Sequence, residues 1–201
     1  NSIKKIFQDL NMNRSEMKSI IHKSPAIYST ESCKKAINWF DENINIAKPG
    51  TAGNIILNNL ELGINLEKLS GFFNLYSTIL KVLKKFKEEY NLFDICVDAW
   101  TLDTTDIIMG KWEPNTYYTT THCEVDSKIT NRVFSWMLYL KDIKTGGGTE
   151  FIYQNITMRS NAGDFLIFPS GPSHMHRGEN APLETKYTIT GHFLWESNYE
   201  R

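Results

Sequence analysis

Tyr117-Tyr118-Thr119-Thr120-Thr121-His122-Cys123-Glu124-Val125 is the stretch on which the fold and the chemistry both turn. Read as a strand, it sends residues i and i+2 to the same side of a sheet, so His122 and Glu124 project together and Cys123 points the other way. A second strand or its adjoining loop is expected to bring His174 opposite them. Two imidazoles and one carboxylate then make a facial triad that leaves three coordination positions open and suits non-heme Fe(II). A structural zinc site would close its fourth position, usually with cysteine. A lone H-x-E is weak, because two polar residues on a wet strand face look the same.

Outward from this stretch the chain divides by period. Ser29 or Thr30 is placed to cap a helix in which Cys33, Ala36, Ile37 and Phe40 form one apolar stripe. A longer helix is expected from Leu66 through Phe86, its stripe broad enough to back a sheet, with the charged run Lys84 to Glu89 on a solvated face. His22 is read as a surface residue of a helix. From Phe93 the period becomes two: Ile95, Val97 and Ala99 alternate with polar neighbours. Ile107-Ile108-Met109, Val133 to Leu140, Phe165 to Phe168 and Tyr187 to Phe193 follow as short strands. Helices first and strands afterwards imply an α+β chain with a mainly β core: a single domain, with 1–92 a helical support region and 93–201 the catalytic core. Gly146-Gly147-Gly148 marks a turn, since no G-K-[ST] follows to make it a phosphate loop.

Composition bounds the function. With 201 residues, 41% of them hydrophobic, the chain has enough material for one well-buried core. Lys plus Arg number 22 against 23 Asp plus Glu, a net charge of -1 that offers no electrostatic case for nucleic acid or a membrane surface. No apolar run is long enough to span a bilayer. Cys33, Cys96 and Cys123 lack C-x-x-C spacing, which points to a reducing, cytoplasmic setting. Asn13-Arg14-Ser15 and Asn155-Ile156-Thr157 match the glycosylation pattern, and with no signal peptide read they are expected to be chance matches.

Five ordered blocks carry a family resemblance. They are Trp112-Glu113-Pro114-Asn115-Thr116-Tyr117-Tyr118 with His122-Cys123-Glu124; Arg132 with Trp136 to Asp142; Gly146 to Phe151; Gly163 to Ser170 leading into His174; and Lys186-Tyr187 with Thr190-Gly191. In this order they resemble the Fe(II)- and 2-oxoglutarate-dependent oxygenases, in particular the prolyl 4-hydroxylase-like branch. The resemblance implies a double-stranded β-helix, a cupin-like jelly roll with the N-terminal helices packed on one sheet. It also implies His122, Glu124 and His174 as metal ligands. His174 and His176 both follow Phe168-Pro169, and the family register counted from Pro169 favours His174. Lys186 resembles the cation that binds the far carboxylate of 2-oxoglutarate, a role that a dianion taken into a barrel demands. Tyr139 and Thr190 are expected as hydroxyl partners of the same carboxylate. Glu124 stands where Asp is usual. Trp112 stands where the family commonly has tyrosine, so Tyr118 or Tyr117 is left to supply the missing hydroxyl.

The resemblance further implies Fe(II), 2-oxoglutarate and O2, with ascorbate as an accessory reductant, in the hydroxylation of an unactivated C–H bond. Peptidyl proline leads as substrate, with another protein side chain or a small metabolite as alternatives. A non-enzymatic cupin-like binding module would lose ligands. A zinc hydrolase would need a general base and have no use for Lys186. His192 is read as a core or rim histidine and Arg177 as a residue of the site's mouth.

Overall fold

The computed structural model of the protein describes residues 20–52, 55–69, 72–90 and 100–195. In chain order the elements are β1 (His22–Ser24), α1 (Thr30–Glu42), β2 (Lys48–Ala52), β3 (Ile55–Ile64), α2 (Leu75–Glu89), β4 (Trp100–Leu102), β5 (Ile107–Trp112), β6 (Arg132–Tyr139), β7 (Thr149–Phe151), β8 (Ile156–Met158), β9 (Phe165–Pro169), β10 (His176–Gly178) and β11 (Lys186–Trp195). Antiparallel pairing gives one large sheet in the order β1-β9-β6-β11-β5-β3-β2, with β4 also on β11, and a small sheet β10-β7-β8. This is the expected α+β architecture with a jelly-roll core.

Strand β11 shows why the layers form. Tyr187, Ile189 and Phe193 fall on one face, and Lys186, Thr188, Thr190 and His192 on the other. The apolar face meets the helices. From α1, Cys33, Ala36 and Phe40 are buried, and from α2, Leu75, Ile79, Val82 and Phe86, all in one cluster with Leu62, Ile107, Met109, Phe134, Trp136, Leu138 and Ile167 of the sheet. Burying each of these large side chains contributes about 1.5–3 kcal/mol. Phe40 meets Tyr187 edge-on at 5.9 Å and Phe86 meets Phe134 at 5.0 Å. Asp41 accepts hydrogen bonds from the Tyr187 hydroxyl (3.0 Å) and Lys111 (3.1 Å), tying α1 to the sheet. A smaller cluster of Ile21, Tyr139, Phe151, Leu166 and Phe168 lies on the inner face.

Helix α1 starts where expected, with Ser29 Oγ accepting from Ser32 N at 3.0 Å. Other expectations are corrected. The stretch Tyr117 to Val125 is not a strand but irregular chain with one isolated bridge at His122. Helix α2 begins at Leu75 rather than Leu66, because Phe73 and Asn74 take positive φ (40° and 64°) and break the helical path before it. β1, β2 and β3 lie within the stretch read as helical, and β3 pairs with β5 from Leu60↔Lys111 to Ile64↔Ile107. His22 is a buried strand residue whose ring bonds Glu89 and Ser24. The Gly146 turn is as expected, with Gly146 and Gly147 at φ 69° and 72°. The alternation at Ile95, Val97 and Ala99, Cys96 and the Asn13 motif lie outside the described residues.

Gly191 pairs with Trp136 across β11 and β6, and a Cβ built on it collides with the Trp136 ring. Gly191→Ala is therefore expected to destabilise the fold by about 1–3 kcal/mol through overpacking. An unchanged urea midpoint would show that the Trp136 ring has room to move.

Candidate metal centre

Two backbone hydrogen bonds bring the site together. His122 N donates to His176 O at 3.0 Å and His176 N donates to His122 O at 2.9 Å, a single antiparallel bridge that sets the two rings 4.4 Å apart. Glu124 N donates to Ser170 O at 2.9 Å, which holds the acid beside them. Glu124 Oε1 lies 3.4 Å from His122 Nε2 and 3.3 Å from His176 Nε2. One potential ligand atom from each of His122, Glu124 and His176 lies within 4.8 Å of the others.

The tautomers follow from the neighbours. His122 Nδ1 lies 2.9 Å from Thr120 O and His176 Nδ1 lies 3.0 Å from His174 O. A carbonyl only accepts, so each Nδ1 carries a proton, and the Nε2 of each ring, turned to Glu124, donates to the carboxylate when protonated and would offer its lone pair to a cation that displaces that proton. Arg132 steadies the acid: its Nη1 lies 3.6 Å from Glu124 Oε2, and its Nη2 donates to Asp106 at 2.9 Å. Burial pushes the Glu124 carboxyl up, but hydrogen bonds to His122 and His176 outweigh it and hold the group well below the usual carboxylate range. Burial likewise lowers His122, and Glu124 more than reverses this. Two Nε2 atoms around a persistent carboxylate, each ring held through its Nδ1, fit a divalent cation.

The distal histidine differs from the register expected. His174 closes the 3-10 turn Pro172–His174, which takes it out of the strand path, and β10 begins at His176. His174 Nδ1 is 3.0 Å from Ser173 Oγ, its ring meets the Phe151 edge at 6.5 Å, and its buried Nε2 has no hydrogen-bond partner. His176, not His174, joins His122 and Glu124.

The triad opens into a cavity of about 420 Å³ whose lining includes Trp112, Tyr118, Thr149, Lys186, Thr188 and Thr190. Lys186 is 8% exposed, and burial lowers its ammonium to about 8 despite the opposing Glu179 charge. Its Nζ donates to Gly148 O at 3.4 Å and stands 5.5 Å from the Tyr139 ring centre. Among the described residues no carboxylate stands within ion-pairing distance of it. Tyr139 lies behind Lys186 rather than in the cavity, its hydroxyl 2.7 Å from Thr149 Oγ1. Thr190 lines the cavity, with Oγ1 donating to Ile108 O at 3.4 Å. The Tyr118 ring lies 4.1 Å from that of His122, so it is Tyr118 that covers a triad residue. His192 also lines the cavity; burial lowers it to about 4, and its Nδ1 is 3.1 Å from Ser135 Oγ. Arg177 is exposed and donates to Glu150 at 2.6 Å, outside the cavity lining.

Asn59 and Glu61 of β3 line the same cavity and were not anticipated. The signal was present: Leu60, Leu62 and Ile64 alternate with Asn59, Glu61 and Gly63, the period of a half-buried strand.

Residues 111–194 match the model of the 2OG-Fe(II) oxygenase superfamily. No curated protein matches the chain in sequence. Among solved structures, a viral collagen prolyl hydroxylase from Paramecium bursaria Chlorella virus-1 aligns at TM-score 0.65 and 19% identity, covering 92% of this chain and 100% of its own. A Pseudomonas putida prolyl-4-hydroxylase aligns at TM-score 0.68 and 12% identity, covering 96% and 99%. A Trichoplax adhaerens prolyl hydroxylase in complex with a hypoxia inducible factor oxygen degradation domain peptide aligns at 0.67 and 11%, covering 96% and 92%. Over the matched segment the chain is similar to the 2OG-Fe(II) oxygenase superfamily, a likeness that implies Fe(II), 2-oxoglutarate and O2, and its fold is that of these prolyl hydroxylases. Among the described residues no helix is long and apolar enough to cross a membrane.

A buried ammonium with one weak carbonyl contact costs stability that an apolar side chain would return. Lys186→Met is expected to raise the free energy of unfolding by about 1–3 kcal/mol. The same variant is expected to lose stabilisation by added 2-oxoglutarate. Unfolding curves with and without the dicarboxylate check both, and a destabilised variant would contradict the account.

Proposed function

We propose that this chain is an Fe(II)- and 2-oxoglutarate-dependent dioxygenase that hydroxylates an unactivated C–H bond of peptidyl proline or another protein side chain. The observation that carries the reading is the convergence of one ligand atom each from His122, Glu124 and His176 within 4.8 Å, with Nε2 of both histidines turned to Glu124 and each Nδ1 tied to a backbone carbonyl. The matched superfamily segment and the prolyl-hydroxylase fold support it.

His122, Glu124 and His176 would hold the metal on one face and leave the cavity side open. Lys186 would pair with the far carboxylate of 2-oxoglutarate, with Thr149, Thr188 and Thr190 offering hydroxyls from the same walls. Bound there, Fe(II) with 2-oxoglutarate and O2 supplies the oxidising chemistry, with succinate and CO2 as coproducts. The protein's own part is positional. Arg132 and the Ser170 carbonyl orient Glu124, the tilted Tyr118 ring packs on His122, and the carbonyls of Thr120 and His174 fix the imidazole planes. No acid-base dyad is required of Asp126, Glu150 or Asp164. Ascorbate as an accessory reductant belongs to the same proposal, as does a cytoplasmic setting.

Anaerobic addition of Fe(II) and then 2-oxoglutarate is expected to produce a weak visible metal-to-ligand charge-transfer band. His122→Ala, Glu124→Ala and His176→Ala are expected to abolish it while keeping the native circular dichroism, and His174→Ala to retain it. A band that survives His176→Ala but vanishes in His174→Ala would return the distal position to His174. A full band in Glu124→Ala would remove the triad reading altogether.

A further inference from the structure

The wall of the cavity contributed by β3 is chemically unlike the rest. Glu61 pairs with Gly110 of β5, and Gly110 with Thr188 of β11, so these residues form one row across three strands. Gly110 leaves the middle of that row bare. A Cβ there would stand 3.1 Å from Trp112 Nε1 and 3.7 Å from Asn59 Nδ2. On the other side, a Cβ on Gly50 collides with both Asn59 Oδ1 and Glu61 Oε1, so glycine at 50 is what lets these two polar side chains lie in the wall.

Their hydrogen bonding is one-sided. Asn59 is 3% exposed, and its Nδ2 donates to Glu61 Oε1 at 2.8 Å, while its buried Oδ1 has no partner. With Asn59 Nδ2 given to Glu61 Oε1, Asn59 Oδ1 stays an unmet acceptor packed toward Gly50, and Glu61 Oε2 is left as the acceptor of the pair that is not fully buried. Among the described residues no cation lies within ion-pairing distance of Glu61. Lys48, opposite it in the strand register, is exposed and makes no such contact. Burial, only partly offset by Asn59, raises the Glu61 carboxyl above its ordinary value. Glu61 also acts on the metal side of the cavity: after burial, the charges of Glu124 and Glu61 raise the phenol of Tyr118, the ring packed at a tilt on His122. A bare pyrrolidine ring or a carboxylate would leave these acceptors unmet. A cation with N–H donors satisfies them, and the faces of Trp112 and Tyr118 line the same cavity.

We propose that Glu61 and Asn59 are the specificity-determining wall of this cavity and receive a positively charged nitrogen of the substrate, the ammonium or guanidinium of a lysyl or arginyl side chain. The proposal rests on the dioxygenase reading for what is then done to that side chain, but the binding preference is separable from it.

The test uses blocked tripeptides Ala-X-Ala with X lysine, arginine, norleucine or proline, titrated into the metal-free protein with tryptophan fluorescence as readout. The lysyl or the arginyl peptide is expected to bind about tenfold tighter than the norleucine peptide, the effect of one charge-assisted hydrogen bond in a desolvated wall. Which of the two binds tighter assigns ammonium or guanidinium. Glu61→Gln keeps shape and removes charge. It is expected to bring the cationic peptides to within about twofold of norleucine and to leave the anaerobic Fe(II)-2-oxoglutarate band intact. Equal binding of the norleucine or prolyl peptide, or a cationic preference that survives Glu61→Gln, would overturn the proposal. A cationic preference without any charge-transfer band would leave the wall assignment standing and fell the dioxygenase reading instead.

Discussion

Everything at the centre of this molecule depends on the two backbone hydrogen bonds between His122 and His176. The segment between β5 and β6 has little regular structure of its own, and this bridge, with Gly178 N donating to Tyr118 O at 2.9 Å, ties it to β10. Backbone pairing fixes the Cα positions, the carbonyls of Thr120 and His174 fix the ring planes, and Ser170 fixes Glu124. The carboxylate then stays ionised, although burial opposes it, because two imidazoles face it. Electrostatic order follows from a small piece of main-chain geometry.

A polar cavity inside a β fold needs its stability from elsewhere. Here the period-2 pattern of β11 separates the two tasks: Tyr187, Ile189 and Phe193 bury against α1 and α2, while Lys186, Thr188, Thr190 and His192 face the cavity. The helices supply the apolar cover that lets one face of the large sheet carry a buried lysine, a buried histidine and two threonines. Lys186 shows the tension most plainly. Its ammonium is depressed by burial and has one carbonyl partner, a state that an arriving carboxylate would relieve.

The legible parts of the sequence were those with strong period or ordered motif. The alternation at Tyr187 to Phe193 and the stripe Cys33, Ala36, Phe40 marked strand and helix faces directly, and His122, Glu124 and Lys186, singled out by the motif order, line one cavity. The distal histidine was not legible, because a 3-10 turn of three residues separates β9 from β10 and shifts the register without a mark in composition. Counting from Pro169 assumed extended chain where the backbone turns. Strand β3 was obscured by its setting between two helical stripes, although Leu60, Leu62 and Ile64 alternate in it. Tyr139 was expected to offer its hydroxyl to the cosubstrate carboxylate, yet that hydroxyl reaches Thr149 instead of the cavity, a distinction of side-chain length and tilt that no pattern of residue types encodes.

The central claim is that one dicarboxylate spans from a metal on His122, Glu124 and His176 to the ammonium of Lys186. The most direct test is a crystal structure of the protein grown with Mn(II) and 2-oxoglutarate. The account predicts a metal bound through the Nε2 atoms of both histidines and the Glu124 carboxylate, with the far carboxylate of the ligand on Lys186 Nζ. A metal carried by His174, or a far carboxylate anchored on Arg177 or Arg132 with Lys186 left on the Gly148 carbonyl, would contradict it.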